Sequence, residues 1–116
     1  MADDKLQKEC KKNIMAVHDV MDILSGKWKI SIIAVLCYHN QRRFSNLLSD
    51  VTGISNKMLS KELKDLEINK LVKRTVLNTQ PITVQYELTE YGQKFRCVIT
   101  SLTDLGIAHR KEIVGE

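Results

Sequence analysis

Little in this chain could form a linker, a disulfide framework or a metal site. Pro81 is the only proline and glycine occurs five times in 116 residues, which leaves little room for a flexible connection and fits one domain with a modest core. Cys10, Cys37 and Cys97 are odd in number and widely scattered, which argues against disulfides and for a reducing cytoplasm. His18, His39 and His109 share no ligand spacing with them, so neither a zinc site nor any other cofactor is expected. No apolar run approaches the ~20 residues that span a bilayer. No charged segment followed by an apolar block opens the chain, so neither membrane insertion nor export is expected. Catalytic signatures are missing as well: there is no glycine-rich phosphate loop, H-E-x-x-H or G-x-S-x-G. The carboxylates stand mostly beside lysines on amphipathic helices, where surface pairing accounts for them. The chain does not read as an enzyme.

What it does contain is concentrated between Arg42 and Arg74. Phe44, Leu47, Leu48 and Val51 recur at the spacing of one helix face. Thr52-Gly53-Ile54 breaks that pattern, and Gly53 can take a positive φ without steric cost. Ser55 then reads as the N-cap of a second helix, 55–69. That helix turns Leu59, Leu63 and Leu66 inward and leaves Asn56, Lys57, Ser60, Lys61 and Lys64 on the other side. Two helices meeting at a glycine turn, the second with a basic outer face, match the way a helix-turn-helix enters a DNA major groove. The charge is placed accordingly. Residues 42–74 hold eight basic and four acidic side chains, the rest of the chain ten of each, so the whole excess of +4 lies in this unit. A solvated helix face is the plain alternative, and the glycine turn and local charge favour double-stranded DNA over it. Asn56 and Lys57 are best placed for base edges; Ser55, Ser60, Lys61 and Lys64 complete the candidate surface, and Arg42 and Arg43 could clamp phosphates beside it.

The flanking segments supply a scaffold and a wing. Ala2 to Asp4 should be loose, together with Met1. A helix over 5–24 keeps Ile14, Val17, Met21 and Leu24 on one face and stops near Gly26. Lys27-Trp28 opens another, where Trp28, Ile32, Ile33, Val35 and Leu36 are dense enough to be core, and His39-Asn40-Gln41 is a short polar connection. After Leu71 the period changes. Residues 72–77 and 83–88 read as the strands of a hairpin with Val84, Tyr86 and Leu88 inward and Gln85 and Glu87 in water. Such a hairpin is a wing: Lys73 and Arg74 at its base and Asn78, Thr79 and Gln80 at its tip are candidate DNA contacts. Thr89 can cap a final helix over 89–115 carrying Phe95, Ile99, Leu102, Leu105 and Ile113, with a possible kink at Leu105-Gly106. Cys37 and Cys97 read as inert packing residues. The expected class is mainly α with a small β-hairpin wing, a winged helix-turn-helix of the three-helical-bundle type, with its core at 27–88. The apolar faces of the two terminal helices exceed what one small domain covers, so a homodimer reading a near-palindromic site is expected. A winged-helix protein-interaction module is the alternative from another class.

Six stretches resemble the HxlR-type transcriptional regulators, winged-helix proteins allied to the MarR group: Leu24-Ser25-Gly26-Lys27-Trp28, 42–47 (R-R-F-S-N-L), 53–59 (G-I-S-N-K-M-L), 63–67 (L-K-D-L-E), Leu71-Val72-Lys73-Arg74 and 86–92 (Y-E-L-T-E-Y-G). They stand in the family's order and spacing over roughly Met15 to Leu105. The resemblance implies a bacterial or archaeal dimeric regulator paired through its terminal helices. Many members carry a cysteine thirteen residues before the tryptophan, where several sense oxidants or electrophiles. Here that position is Met15. Cys10 lies five residues earlier among Lys8, Lys11 and Lys12, a setting that makes thiols reactive, and it is the candidate redox sensor. An oxidant or a small molecule is therefore a possible effector.

Overall fold

Residues 2–115 are described by a computed structural model. They form α1 (Ala2–Ile23), α2 (Trp28–His39), β1 (Gln41–Arg43), α3 (Phe44–Asp50), α4 (Asn56–Ile68), β2 (Val72–Leu77), β3 (Thr83–Leu88), a 3₁₀ turn (Gly92–Phe95) and α5 (Arg96–Val114). The core lies where α2, α3 and α4 meet the sheet. Ile32, Ile33, Leu36, Leu47, Leu59, Leu63, Leu66 and Leu71 are fully buried there, with Tyr86, Leu88 and Phe95 close behind. Trp28 is half-buried against the same cluster, a packing residue rather than the wall of an open pocket. Lys27 lays its ammonium 4.4 Å from the Trp28 ring centroid.

Three features differ from the sequence reading. Ala2 to Asp4 belong to α1, and Asp3 and Asp4 occupy its first turn, where carboxylates complement the positive end of the helix dipole. Residues 41–43 are not a connection but a third strand. β1 pairs antiparallel with β3, opposite Gln41↔Glu87 and Arg43↔Gln85, and the sheet order is β1-β3-β2. β3 is therefore central, and Gln85 and Glu87 are half-buried rather than in water. Thr89 caps the 3₁₀ turn that leads directly into the last helix, with Gln93 N–H on its carbonyl oxygen at 2.9 Å. Its hydroxyl accepts from Gly92 N–H at 2.8 Å and donates to the Lys70 carbonyl at 2.6 Å, tying the 3₁₀ turn to the end of α4. α5 begins only at Arg96 and runs unbroken through Gly106.

Gly92 makes that tie possible. A Cβ built on it would lie 2.1 Å from the Leu71 carbonyl oxygen and 3.0 Å from its carbon. Leu71 O already accepts Thr89 N–H at 2.9 Å, and Leu71 N–H bonds back to Leu66 O at 2.9 Å. With Lys70 at φ 66 donating to Glu67 O at 3.0 Å, α4 ends in a Schellman motif. Its exit into the wing is thus set by backbone hydrogen bonds on both sides.

The terminal helices are the opposite case. Neither α1 nor α5 has a buried residue. Leu6, Ile14, Met15, Val17 and Met21 on α1, and Leu102, Leu105, Ile107 and Ile113 on α5, are all about half or more exposed. The radius of gyration is 17.5 Å, whereas a compact chain of this length would have about 13 Å. The excess comes from the projecting ends.

Candidate nucleic-acid interface

The helix-turn-helix is built as its pattern requires. α3 buries Leu47 and half-buries Phe44 and Leu48, and Val51 closes it with its N–H on Leu47 O. Gly53 takes φ +89 in the turn, beneath the Trp28 ring. Ser55 caps α4, its hydroxyl accepting Met58 N–H at 3.1 Å. Leu59, Leu63 and Leu66 are buried on the inner side of α4, and Asn56, Lys57, Ser60, Lys61 and Lys64 are all exposed. The basic face is turned away from the core. Asn56 and Lys57 occupy the first turn, next to the unpaired N–H groups of the helix N-terminus, which themselves favour phosphate.

The wing stands beside that face. A groove of about 590 Å³ runs between them and is lined by Ser60, Lys64, Glu67 and Ile68 from α4 and by Arg74, Val84 and Tyr86 from the sheet. Strand alternation separates the two basic residues that the sequence placed together. Arg74 pairs with Tyr86 and shares its face toward α4, while Lys73 pairs with Glu87 on the opposite face. Ser60, Lys64 and Arg74 are thus brought together, and Lys73 is not among them. Asn78, Thr79 and Gln80 form the exposed tip, braced by the Thr79 hydroxyl against Pro81 O at 2.8 Å and the Thr83 hydroxyl at 2.9 Å.

Arg42 and Arg43 part company in the same way. Arg43 is exposed, whereas Arg42 is half-buried and held by Asp50. Its Nε and Nη2 each donate at 2.8 Å to the two carboxylate oxygens of Asp50, a planar fork across α3. Hydrogen bonding by Arg42, reinforced by its charge and that of His39, holds the Asp50 carboxyl below the ordinary range despite some burial. The Arg42 side chain braces β1 against α3.

The strongest polar feature was not legible as such. Lys29 and Glu62 are the two charged residues of the core, with side chains 9% and 8% exposed. Lys29 Nζ lies 2.8 Å from Glu62 Oε2 and 3.4 Å from Asp65 Oδ2. Burial works against the ammonium, but the two carboxylates outweigh it, and the Lys29 pKa lies above its ordinary value. Glu62 and Asp65 are therefore not explained by surface pairing with neighbouring lysines. They pin α4 to α2 across 33 residues of sequence.

The cysteines also sort differently from expectation. Cys37 is half-buried, and burial pushes its thiol up against the opposing charge of Arg96. Cys97 is exposed, its Sγ 3.1 Å from Lys94 O, so it is not a packing residue. Cys10 is exposed on the apolar stripe of α1, beside Leu6, Ile14 and Val17. No helix of the described residues is long and apolar enough to cross a membrane.

Known proteins share this architecture. The HTH-type transcriptional regulator YtcD of Bacillus subtilis is 33% identical over 108 residues, covering 93% of this chain and 85% of that protein. A MarR-family regulator structure from Porphyromonas gingivalis W83 superposes with TM-score 0.72 at 34% identity, over 78% of this chain and 88% of the other. The redox regulator HypR in its reduced form gives TM-score 0.79 at 26% identity, over 87% and 99%. The sequence model of HxlR-like helix-turn-helix proteins matches residues 23–113, a span that holds the whole helix-turn-helix, the wing and most of α5, and the chain belongs to that family of transcriptional regulators.

Proposed function

We propose that two copies of this chain, paired through α1 and α5, read a near-palindromic duplex with α4 and brace it with the wing. The observation that carries the reading is the clean division of α4: three leucines buried on one side, five polar or basic side chains exposed on the other. Two-fold pairing would present two such helices to half-sites about 10 bp or a multiple apart. Asn56 and Lys57 reach base edges, where a good contact discriminates by about 1–3 kcal/mol. Lys61, Lys64, Arg43 and Arg74 meet phosphates, and the tip residues 78–80 follow the backbone on the flank.

The test is selection of bound duplexes from a random library, followed by gel shifts. Asn56→Ala and Lys57→Ala should each cut the preference for the selected duplex about tenfold or more. Arg74→Ala should weaken selected and random duplexes alike and flatten the salt dependence, and Lys73→Ala should do so less, since it faces away from α4. Equal losses on both duplexes for the Asn56 and Lys57 variants would refute the base-reading assignment. A protein that retains no duplex at low salt would point instead to a protein-interaction module.

An oxidant input through Cys10 is part of the proposal. It is supported by that thiol's place on the α1 stripe, where its oxidation would act on the proposed subunit contact, and by the fold shared with the redox regulator HypR. Oxidant treatment should change duplex binding by wild type and leave Cys10→Ser unaffected; identical responses would remove Cys10 from the mechanism.

A further inference from the structure

We infer that Lys29 is a positioning residue for DNA reading: by clasping Glu62 and Asp65 it sets the rotation of α4 about its own axis, and so the direction in which Asn56 and Lys57 point. The inference rests on α4 being the helix that reads DNA. Lys29 itself is buried in α2, behind α4 and away from its exposed face.

The argument begins with what else holds α4. Its other inward residues, Leu59, Leu63 and Leu66, belong to one apolar cluster with Ile32, Ile33 and Leu36 of α2. Apolar burial is non-directional, whereas the charge-assisted hydrogen bond of 2.8 Å adds geometric specificity. Glu62 and Asp65 are spaced i, i+3, so both lie along one edge of the buried stripe of α4. A cation gripping that edge at two points opposes rotation in either sense. The reach is adequate: turning a helix by about 20° sweeps a side-chain tip through about 2 Å, enough to break a base contact made at hydrogen-bond length.

Stability alone does not account for the clasp. Buried ion pairs are often replaced by apolar side chains of similar volume with no loss, or with a gain. This one lies directly behind the helix whose orientation decides site choice, and it also neutralises two carboxylates carried by that helix.

The test separates orientation from folding. Lys29→Met/Glu62→Leu removes both buried charges and fills the space. Its thermal melt should equal or exceed that of wild type, while the ratio of affinities for the duplex selected by wild type and for a random duplex of equal length should fall at least tenfold. A folded double variant that keeps the wild-type ratio would overturn the inference. Should the double variant lack a cooperative melt, Glu62→Gln takes its place, since it preserves shape and an acceptor for Lys29. It should lower the ratio several-fold, and an unchanged ratio in that folded variant is equally fatal. If wild type itself selects no duplex, the reading of α4 has failed and the inference goes with it; if wild type selects one, only the role of Lys29 is at stake.

Discussion

Gly92→Ala lowers the melting temperature by about 10 °C or more, because one added methyl group has nowhere to go. The Leu71 carbonyl oxygen lies 2.1 Å from where the methyl carbon would be, so the two backbones must part by roughly an ångström to reach van der Waals contact. They are held together by the Thr89 N–H bond to Leu71 O at 2.9 Å, the Gly92 N–H bond to the Thr89 hydroxyl at 2.8 Å and the bond from that hydroxyl to Lys70 O at 2.6 Å. Leu71 is fully buried, so yielding on its side disturbs the core. Overpacking of this kind costs about 3 kcal/mol, and for a domain of this size that is the stated fall in melting temperature. Gly106 supplies the control. It lies inside α5 with no atom within 4 Å of a built Cβ, so Gly106→Ala should stabilise by about 0.5–1 kcal/mol through helix propensity. Thermal melts followed by circular dichroism decide it: equal melts for the two variants would show that the Leu71 approach is not tight.

The same region shows where sequence reasoning reaches its limit. The two faces of α4 were legible because amphipathic period, cap and glycine turn are all written within 17 residues, from Gly53 to Asn69. The wing strands were legible from alternation. β1 was not, since Gln41-Arg42-Arg43 has no apolar alternation; it becomes a strand because β3 offers it a free edge. Nor was the second role of Thr89. A threonine ahead of a helical stretch reads as a cap, and only the fold brings Lys70 and Leu71, nearly twenty residues earlier, within reach of its hydroxyl.

The candidate site divides along the same line. Exposure of Asn56, Lys57, Ser60, Lys61 and Lys64 follows from helix period alone. The pairing of Arg42 depends on Asp50, eight residues away, being turned toward it by α3. Lys73 and Arg74 look alike in sequence, and strand register puts them on opposite faces. The Lys29 clasp is the extreme case. Its partners stand at i, i+3 on an amphipathic helix among lysines, a pattern that reads as surface pairing, and nothing local marks Lys29 as buried.

Val17→Asp/Met21→Asp is expected to yield a monomer of 13.3 kDa that has lost much of the α1 helix and no longer binds the selected duplex tightly. Both side chains are more than 60% exposed in the single chain, so the substitutions should change the stability of an isolated copy by only about 0.5 kcal/mol. Any large effect must then come from a partner. The stripe of Leu6, Ile14, Val17 and Met21 is where that partner would sit, and burying a Val or Met there is worth about 1.5–3 kcal/mol per side chain. Two such losses in each copy, with a carboxylate added at every site, exceed what a dimer of ordinary affinity can absorb. The helix should go with the interface. None of the 22 residues of α1 is buried and only Val20 and Ile23 pack on the core, and most helical stability in proteins comes from packing an amphipathic face rather than from propensity. Light scattering after size-exclusion chromatography, together with ellipticity at 222 nm, reads both effects on one sample. A double variant with the mass and helicity of wild type would place the dimer contact elsewhere, and α5, whose Leu105 and Ile113 are as exposed as Met21, would then have to carry it alone.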